Sequence, residues 1–151
     1  MKKYAYIVTA LSLLIWVSSS FAFAQIQNQI KVNVPFTFYV GNTQLPAGEY
    51  TIRRVSDATP DLLELRSTDG KVAVLVLGRP TQSTTTPSKT ELVFKKYGNV
   101  PILSQIFQAG NQGGVELPEL LQEEQAAKGG TTPERQSVEG TSSKQKVGPN
   151  P

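Results

Sequence analysis

The sequence predicts an all-β protein, a small antiparallel β-sandwich or open barrel of about six to seven strands, followed by a short C-terminal helix and a disordered tail. Three observations carry this expectation. Residues 30–40 alternate strictly between apolar and polar. An Asp69-Gly70 pair separates two β-rich runs, a strong short-range hairpin signal. Gly- and Pro-rich turns punctuate short apolar runs with no long helical pattern between them.

The N-terminus has the three zones of a secretory signal in order. Lys2 and Lys3 are cationic, Tyr4 to Val17 is almost uncharged and largely apolar, and Ser18 to Ala24 turns small. Ala22-Phe23-Ala24 offers small side chains at the two positions a signal peptidase accommodates, so cleavage is expected before Gln25. The apolar run is shorter than the ~20 residues of a spanning helix, so no stable membrane span is expected after cleavage. The protein is therefore expected to be exported, to the periplasm or beyond the cell. Without Lys2 and Lys3 the basic count falls from 15 to 13 against 12 acidic residues, and the formal charge from +3 to +1. A near-neutral chain has no electrostatic footprint for nucleic acid. The basic doublets Arg53-Arg54 and Lys95-Lys96 read as solvated edges, because strand neighbours point to opposite faces. With no Cys in the chain, stability has to come from an ordinary hydrophobic core, which a domain of about 100 residues can build.

The first strand is expected over Ile30–Val40, with Ile30, Val32, Val34, Phe36 and Phe38 inward and Pro35 at an edge or bulge. Gly41-Asn42 and Leu45-Pro46-Ala47-Gly48 are turn chemistry, and Gly48 is expected at positive φ. A second strand follows over Glu49–Val55. Leu62–Arg66 and Lys71–Leu77 form strands three and four across Asp69-Gly70. Val72–Leu77 is apolar throughout, which predicts a central strand covered on both faces. Residues 78–90 read as a long polar loop, and Glu91–Tyr97 and Ile102–Gln108 as strands five and six. The expected core is Ile30, Val32, Val34, Phe36, Phe38, Tyr50, Ile52, Leu63, Leu65, Val72, Val74, Val76, Leu92, Phe94 and Ile106.

The β domain is thus expected over residues 25–110, after a signal peptide over 1–24. Residues 111–128 read as a linker and a short helix, with Pro118 at its first position and Gly129 as its stop. Residues 129–151 carry Val138 and Val147 as their only large apolar side chains and are expected to be disordered, for want of surface to bury.

The stretch from Val34 through Leu45-Pro46-Ala47-Gly48-Glu49-Tyr50 resembles a family of small secreted β-proteins common in acidobacterial genomes. Leu92–Gly98 and Leu103–Ile106 look like that family's second half, so the resemblance covers roughly residues 30–125. The most specific motif is the strand followed by Leu-Pro-Ala-Gly-x-Tyr. The resemblance implies fold and export, and it supplies no catalytic residue.

Chemistry is bounded by absence. The chain has no His and no Cys, which removes imidazole and thiolate metal sites, Cys nucleophiles and His bases. A hydrolase here would need two carboxylates facing one cleft, with Asp57, Asp61, Glu64, Glu91 and Glu116 as the candidates, and no spacing singles out a pair. Asp57, Asp61 and the Asp69-Gly70 turn are the candidates for Ca²⁺, yet no Asp-x-Asp-x-Asp-Gly loop exists. No catalytic, cofactor-binding or metal site is therefore assigned. The only Trp lies in the signal, so glycan contact would fall to Tyr39, Tyr50 and Tyr97. The expected function is a secreted, non-catalytic β-domain acting by binding or by envelope or extracellular association, with its ligand unassigned and protein or glycan contact as the candidates. The alternatives are a filament or matrix subunit that assembles by strand addition through Ile30–Val40, and a carboxylate-based hydrolase.

Overall fold

The structure, a computed structural model, describes residues 28–118 and 132–144. Among them there is no helix, so none long and apolar enough to cross a membrane. The expected signal peptide over 1–24, and the expected short helix beyond Pro118, fall outside the described residues.

Eleven strands form one sheet: β1 Asn28–Val34, β2 Phe38–Val40, β3 Thr43–Leu45, β4 Gly48–Ser56, β5 Thr59–Ser67, β6 Ala73–Leu77, β7 Arg79–Gln82, β8 Thr90–Tyr97, β9 Val100–Phe107, β10 Gly113–Glu116 and β11 Glu134–Lys144. Nine of them follow the order β3-β2-β9-β8-β11-β1-β4-β5-β6, and β10 joins β9 to β7. Since β6 runs through the buried Gly78 directly into β7, the sheet returns on itself as a nearly closed, barrel-like layer. Every pairing is antiparallel except one parallel contact between Tyr39 of β2 and Ile102 of β9.

Inward side chains fill the interior. Ile30, Val32 and Val34 of β1, Tyr50 and Ile52 of β4, Leu63 and Leu65 of β5 and Leu92 and Phe94 of β8 are buried in one cluster, with Phe36, Val72 and Val74 packed against it. Phe36, Phe94, Phe38 and Tyr50 meet edge to face, with successive ring centroids 5.2, 5.5 and 5.3 Å apart. That geometry suits the ring quadrupoles better than a face-to-face stack. Val40, Leu45, Val76, Leu103, Ile106, Val115 and Leu117 complete the cluster.

Several expectations are corrected. The first strand is not continuous to Val40. Pro35 lacks an N–H for the ladder and the chain turns over residues 35–37, so β1 pairs with β4 and β11 while β2 crosses to β9. The inward alternation of Val34, Phe36 and Phe38 continues through that corner. The polar loop over 78–90 contains β7, and the Gly-rich link after Gln108 contains the start of β10. There Gly114 lets the Phe107 ring lie against the backbone, where a Cβ would overlap it. Strand four is neither central nor covered. As β6 it has β5 as its only ladder partner among the described residues, and Leu75 and Leu77 are 61 % and 59 % exposed.

The largest correction concerns the tail. Residues 134–144 form β11, with seven residue pairs to β8 and five to β1. Gln136, Val138 and Gly140 are half-buried, while Arg135, Ser137, Glu139 and Thr141 are exposed. Composition misses such a strand because main-chain bonds on both sides, not large side chains, hold it. At Gly140 the strand also runs too close to β1 for a side chain: a Cβ there would stand 2.9 Å from the Lys31 carbonyl oxygen and 3.3 Å from Ile30 Cγ2.

Candidate functional site

Because Ile30, Val32 and Val34 point inward, Lys31 and Asn33 of β1 are exposed on the outer face. Register sets their neighbours: Lys31 stands opposite Thr51 of β4 and Thr141 of β11, and Asn33 opposite Glu49. Lys31, Asn33, Glu49, Glu139, Thr141 and Thr68 line an open groove of about 420 Å³ across β11, β1 and β4. Thr68 reaches it because its N–H and hydroxyl both donate to the Glu49 carbonyl oxygen, at 2.9 and 3.2 Å. These bonds clamp the β5–β6 hairpin onto β4.

A second hollow, of about 630 Å³, lies between the Pro46–Gly48 corner and the 67–72 hairpin. It shares Glu49, Tyr50 and Thr68 with the first, so the two form one bent track of mixed polar and apolar lining. Its corner is fixed by Tyr50, 2 % exposed, whose hydroxyl donates to the Pro46 carbonyl oxygen at 2.6 Å. Burial, and then the negative charge of Asp69, push the Tyr50 phenol above its usual pKa and keep it a neutral donor. On the hairpin, the Asp69 carboxylate accepts from the Ser67 hydroxyl at 2.6 Å and from the Lys71 N–H at 3.1 Å. The Ser67 bond, followed by those from Lys71, outweighs desolvation and lowers the Asp69 pKa. Gly70, at φ +73°, closes the turn.

The five candidate carboxylates scatter. Asp57 is fully exposed on the β4–β5 turn, 3.4 Å from the Arg54 guanidinium. Asp61 accepts the Gly78 N–H through its main-chain oxygen at 2.8 Å. Glu116 of β10 meets the Gln105 amide at 3.5 Å. Glu91 of β8 stands opposite Glu139 of β11, and both oxygens of Glu139 accept from Lys89 at 2.8 and 2.9 Å.

Glu64 is only 6 % exposed although it sits on the outer face of β5, between the inward Leu63 and Leu65. Arg53 donates to one of its oxygens at 2.6 Å and Arg66 to the other at 2.7 Å. Burial acts to raise its pKa, and the Arg66 and Arg53 hydrogen bonds and charges together outweigh it, so the carboxyl is held below the usual value. That is an ionised structural group and not a general acid, which needs a raised pKa.

For a cation, Asp57 precedes the nine-residue β5 and Asp69 follows it, which separates them by roughly 30 Å of extended chain. Among the described residues no three His, Cys, Asp or Glu side chains gather. Of the tyrosines, Tyr50 is consumed by the corner, and Tyr39 and Tyr97 line neither hollow. Of the basic doublets, Arg53 points out to Glu64 while the Arg54 side chain is 9 % exposed.

The groove residues were half visible in the sequence. Alternation places Lys31 and Asn33 on the polar face, whereas Glu139 and Thr141 belong to a strand whose composition reads as disorder. In comparisons with known proteins, no family model, no curated protein and no solved structure matches the chain.

Proposed function

We propose that the chain is an exported, non-catalytic β-domain that acts by binding, in the periplasm or outside the cell, and that its open track along Glu49 meets the ligand. The observation that carries this reading is the track itself: donors and acceptors from Lys31, Asn33, Glu49, Thr68 and Thr141 stand on paired strands and a clamped hairpin. Groups fixed in this way lose little freedom on binding. An open track that sets fixed hydrogen-bonding groups among apolar atoms suits a glycan or an extended peptide better than a drug-sized molecule, which wants an enclosed pocket. The absence of His and Cys, and the capture of Glu64 by two arginines, support a non-catalytic role. Export rests on the N-terminal 24 residues and on the resemblance of residues 30–125 to small secreted β-proteins. A filament subunit donating its first strand is not favoured, because β1 is paired on both sides within its own chain.

NMR titration of the exported chain with soluble cell-wall oligosaccharides and with glycan-free envelope peptides tests the reading. Shifts clustered at Lys31, Glu49 and Thr68, weakened by Glu49→Ala, are expected. Glycoside or ester turnover that Glu64→Gln or Glu91→Gln abolishes would replace it with the hydrolase. Mass spectrometry of the exported chain should find Gln25 at its N-terminus.

A further inference from the structure

We infer that two copies of this chain join through β6, edge to edge and antiparallel about a two-fold axis at Leu75. The hydrogen bonds at the two ends of the β5–β6 ladder fix which way the β6 backbone faces. Ser67 N–H donates to the Val72 carbonyl oxygen and Gly78 N–H to that of Asp61, both at 2.8 Å. With the register Leu65↔Val74 and Leu63↔Val76, the even-numbered residues therefore turn their N–H and C=O towards β5. Ala73, Leu75 and Leu77 turn theirs the other way, where β6 has no ladder partner among the described residues.

The same three residues carry the exposed side chains, with Val74 and Val76 packed inward. Natural edge strands are protected by charge, Pro, bulges or brevity. The other described strands with a single ladder partner obey that rule: β3 has three residues, two of them exposed and polar, and β7 has four residues with Pro80 among them. In β6 all five residues are apolar and its pairing to β5 is unbroken by any bulge.

A second copy is the occupant that this edge fits, because the edge is self-complementary. Centring the antiparallel pair on Leu75 sets Leu75 against the partner's Leu75 and Ala73 against the partner's Leu77. All of these are residues whose polar groups face outward, so each of the three N–H and three C=O groups on either copy finds a partner. A register displaced by two leaves some of them unmatched. Leu75 then packs on the partner's Leu75, and each Leu77 lies over the partner's Ala73 with the partner's Leu75 diagonal to it. Arg53, Glu64 and Arg66, already bonded to one another within each chain, lie outside this contact as a charged rim. A joint of five residues is smaller than the ~1,200 Å² of a standard stable interface, so the association is concentration-dependent and not permanent.

The chain has no cysteine, so a single introduced one reports on the register. An antiparallel hydrogen-bonded pair holds its Cα atoms ~5.5 Å apart, within disulfide range. Under mild oxidation the Leu75→Cys chain should give a disulfide-linked dimer, whereas Thr43→Cys on the β3 edge should not. Sedimentation velocity on the unsubstituted chain should show a monomer–dimer equilibrium that Leu75→Lys weakens at least about tenfold with no loss of thermal stability, since a charge on the edge opposes pairing. A chain monomeric at every concentration overturns the inference. So does equal cross-linking of the Leu75→Cys and Thr43→Cys chains, or a dimer that Leu75→Lys leaves intact.

Discussion

The Tyr50 hydroxyl and the Pro46 carbonyl oxygen, 2.6 Å apart, turn the Leu-Pro-Ala-Gly-x-Tyr motif into a lock between two strands. Leu45, at the end of β3, is fully buried, and Tyr50 packs edge to face on Phe38 at 5.3 Å, so the chain between them can only loop outward. The phenol ties that loop back to its own strand, four residues on. Tyr50→Phe keeps the ring and removes the bond. The expected loss is about 0.5–1.5 kcal/mol, the net worth of an ordinary intramolecular hydrogen bond, read as a lower urea midpoint with an unchanged slope. A midpoint equal to that of the unsubstituted chain would show that the hydroxyl holds nothing.

Gly48, in the same motif, has another role from the one its place in a turn suggests. The positive-φ glycines are Gly41, Gly70, Gly98 and Gly110, and Gly48 is not among them. A Cβ there meets only Tyr50 Cε2, at 3.9 Å, an ordinary contact. Gly48→Ala is therefore expected to leave stability unchanged or to raise it by up to about 1 kcal/mol, by narrowing the unfolded ensemble. Gly114→Ala should destabilise by about 1–3 kcal/mol, because its Cβ meets the Phe107 ring and stands 2.6 Å from the Ile106 carbonyl oxygen. Thermal melts of the two variants should move in different directions. A Gly48→Ala chain that melts lower than Gly114→Ala reverses the assignment.

The parts of the fold legible in the sequence are those where side-chain chemistry decides the structure. Alternation in Ile30–Phe38, the Asp69-Gly70 hairpin and the fifteen expected core residues all follow from what side chains do in water, and each of the fifteen is buried or packed on the core. Where the main chain decides, the sequence is silent. The run Val72–Leu77 reads as a covered central strand because apolarity shows that burial is favourable, not which faces have neighbours. Gly78 falls in the expected polar loop and Gly114 in the expected linker, although each marks a close approach: a Cβ on Gly78 would overlap Val115 Cγ1. The Glu64 clamp is illegible for the same reason, since Arg53 and Glu64 become neighbours only through the β4–β5 register.

That clamp makes stability depend on pH in one direction. The Glu64 pKa is lowered in the folded state from the usual 4.5, so its contribution is present above that value and is lost as pH falls through the lower, folded one. Glu64→Gln removes the charge at every pH. The urea midpoint of Glu64→Gln should therefore lie below that of the unsubstituted chain at neutral pH, and the gap should close in acid below about pH 4.5 as Glu64 itself becomes neutral. Asp69 shifts in the same sense in both chains and cancels from the comparison. A gap that is constant from neutral pH into acid would mean that the arginines do not hold an ionised Glu64.

The last prediction concerns β11, the only described strand that follows the 119–131 segment, because it decides whether the barrel is one cooperative unit. It pairs with β8 from Glu134↔Lys96 to Gly140↔Thr90, and with β1 from Asn28↔Lys144 to Val32↔Gly140. Without it, β1 and β8 each lose a neighbour, and the inward faces of Ile30, Val32, Leu92 and Phe94 open along one seam. Those four side chains are buried now, and exposing even part of them costs several kcal/mol at ~25 cal/mol per Å² of apolar surface. That is comparable with the whole stability of a domain this size. A chain ending at Thr131 should lose its cooperative unfolding transition. A synthetic peptide of residues 132–146, added in trans, should restore the transition with a midpoint that rises with peptide concentration, since a ligand that binds only the folded state stabilises by mass action. The same peptide carrying Gly140→Val should fail, because a side chain there has no room between the Lys31 carbonyl and Ile30. A truncated chain that unfolds cooperatively at the original midpoint would place residues 134–144 outside the folding unit and return the tail to the disorder its composition suggests.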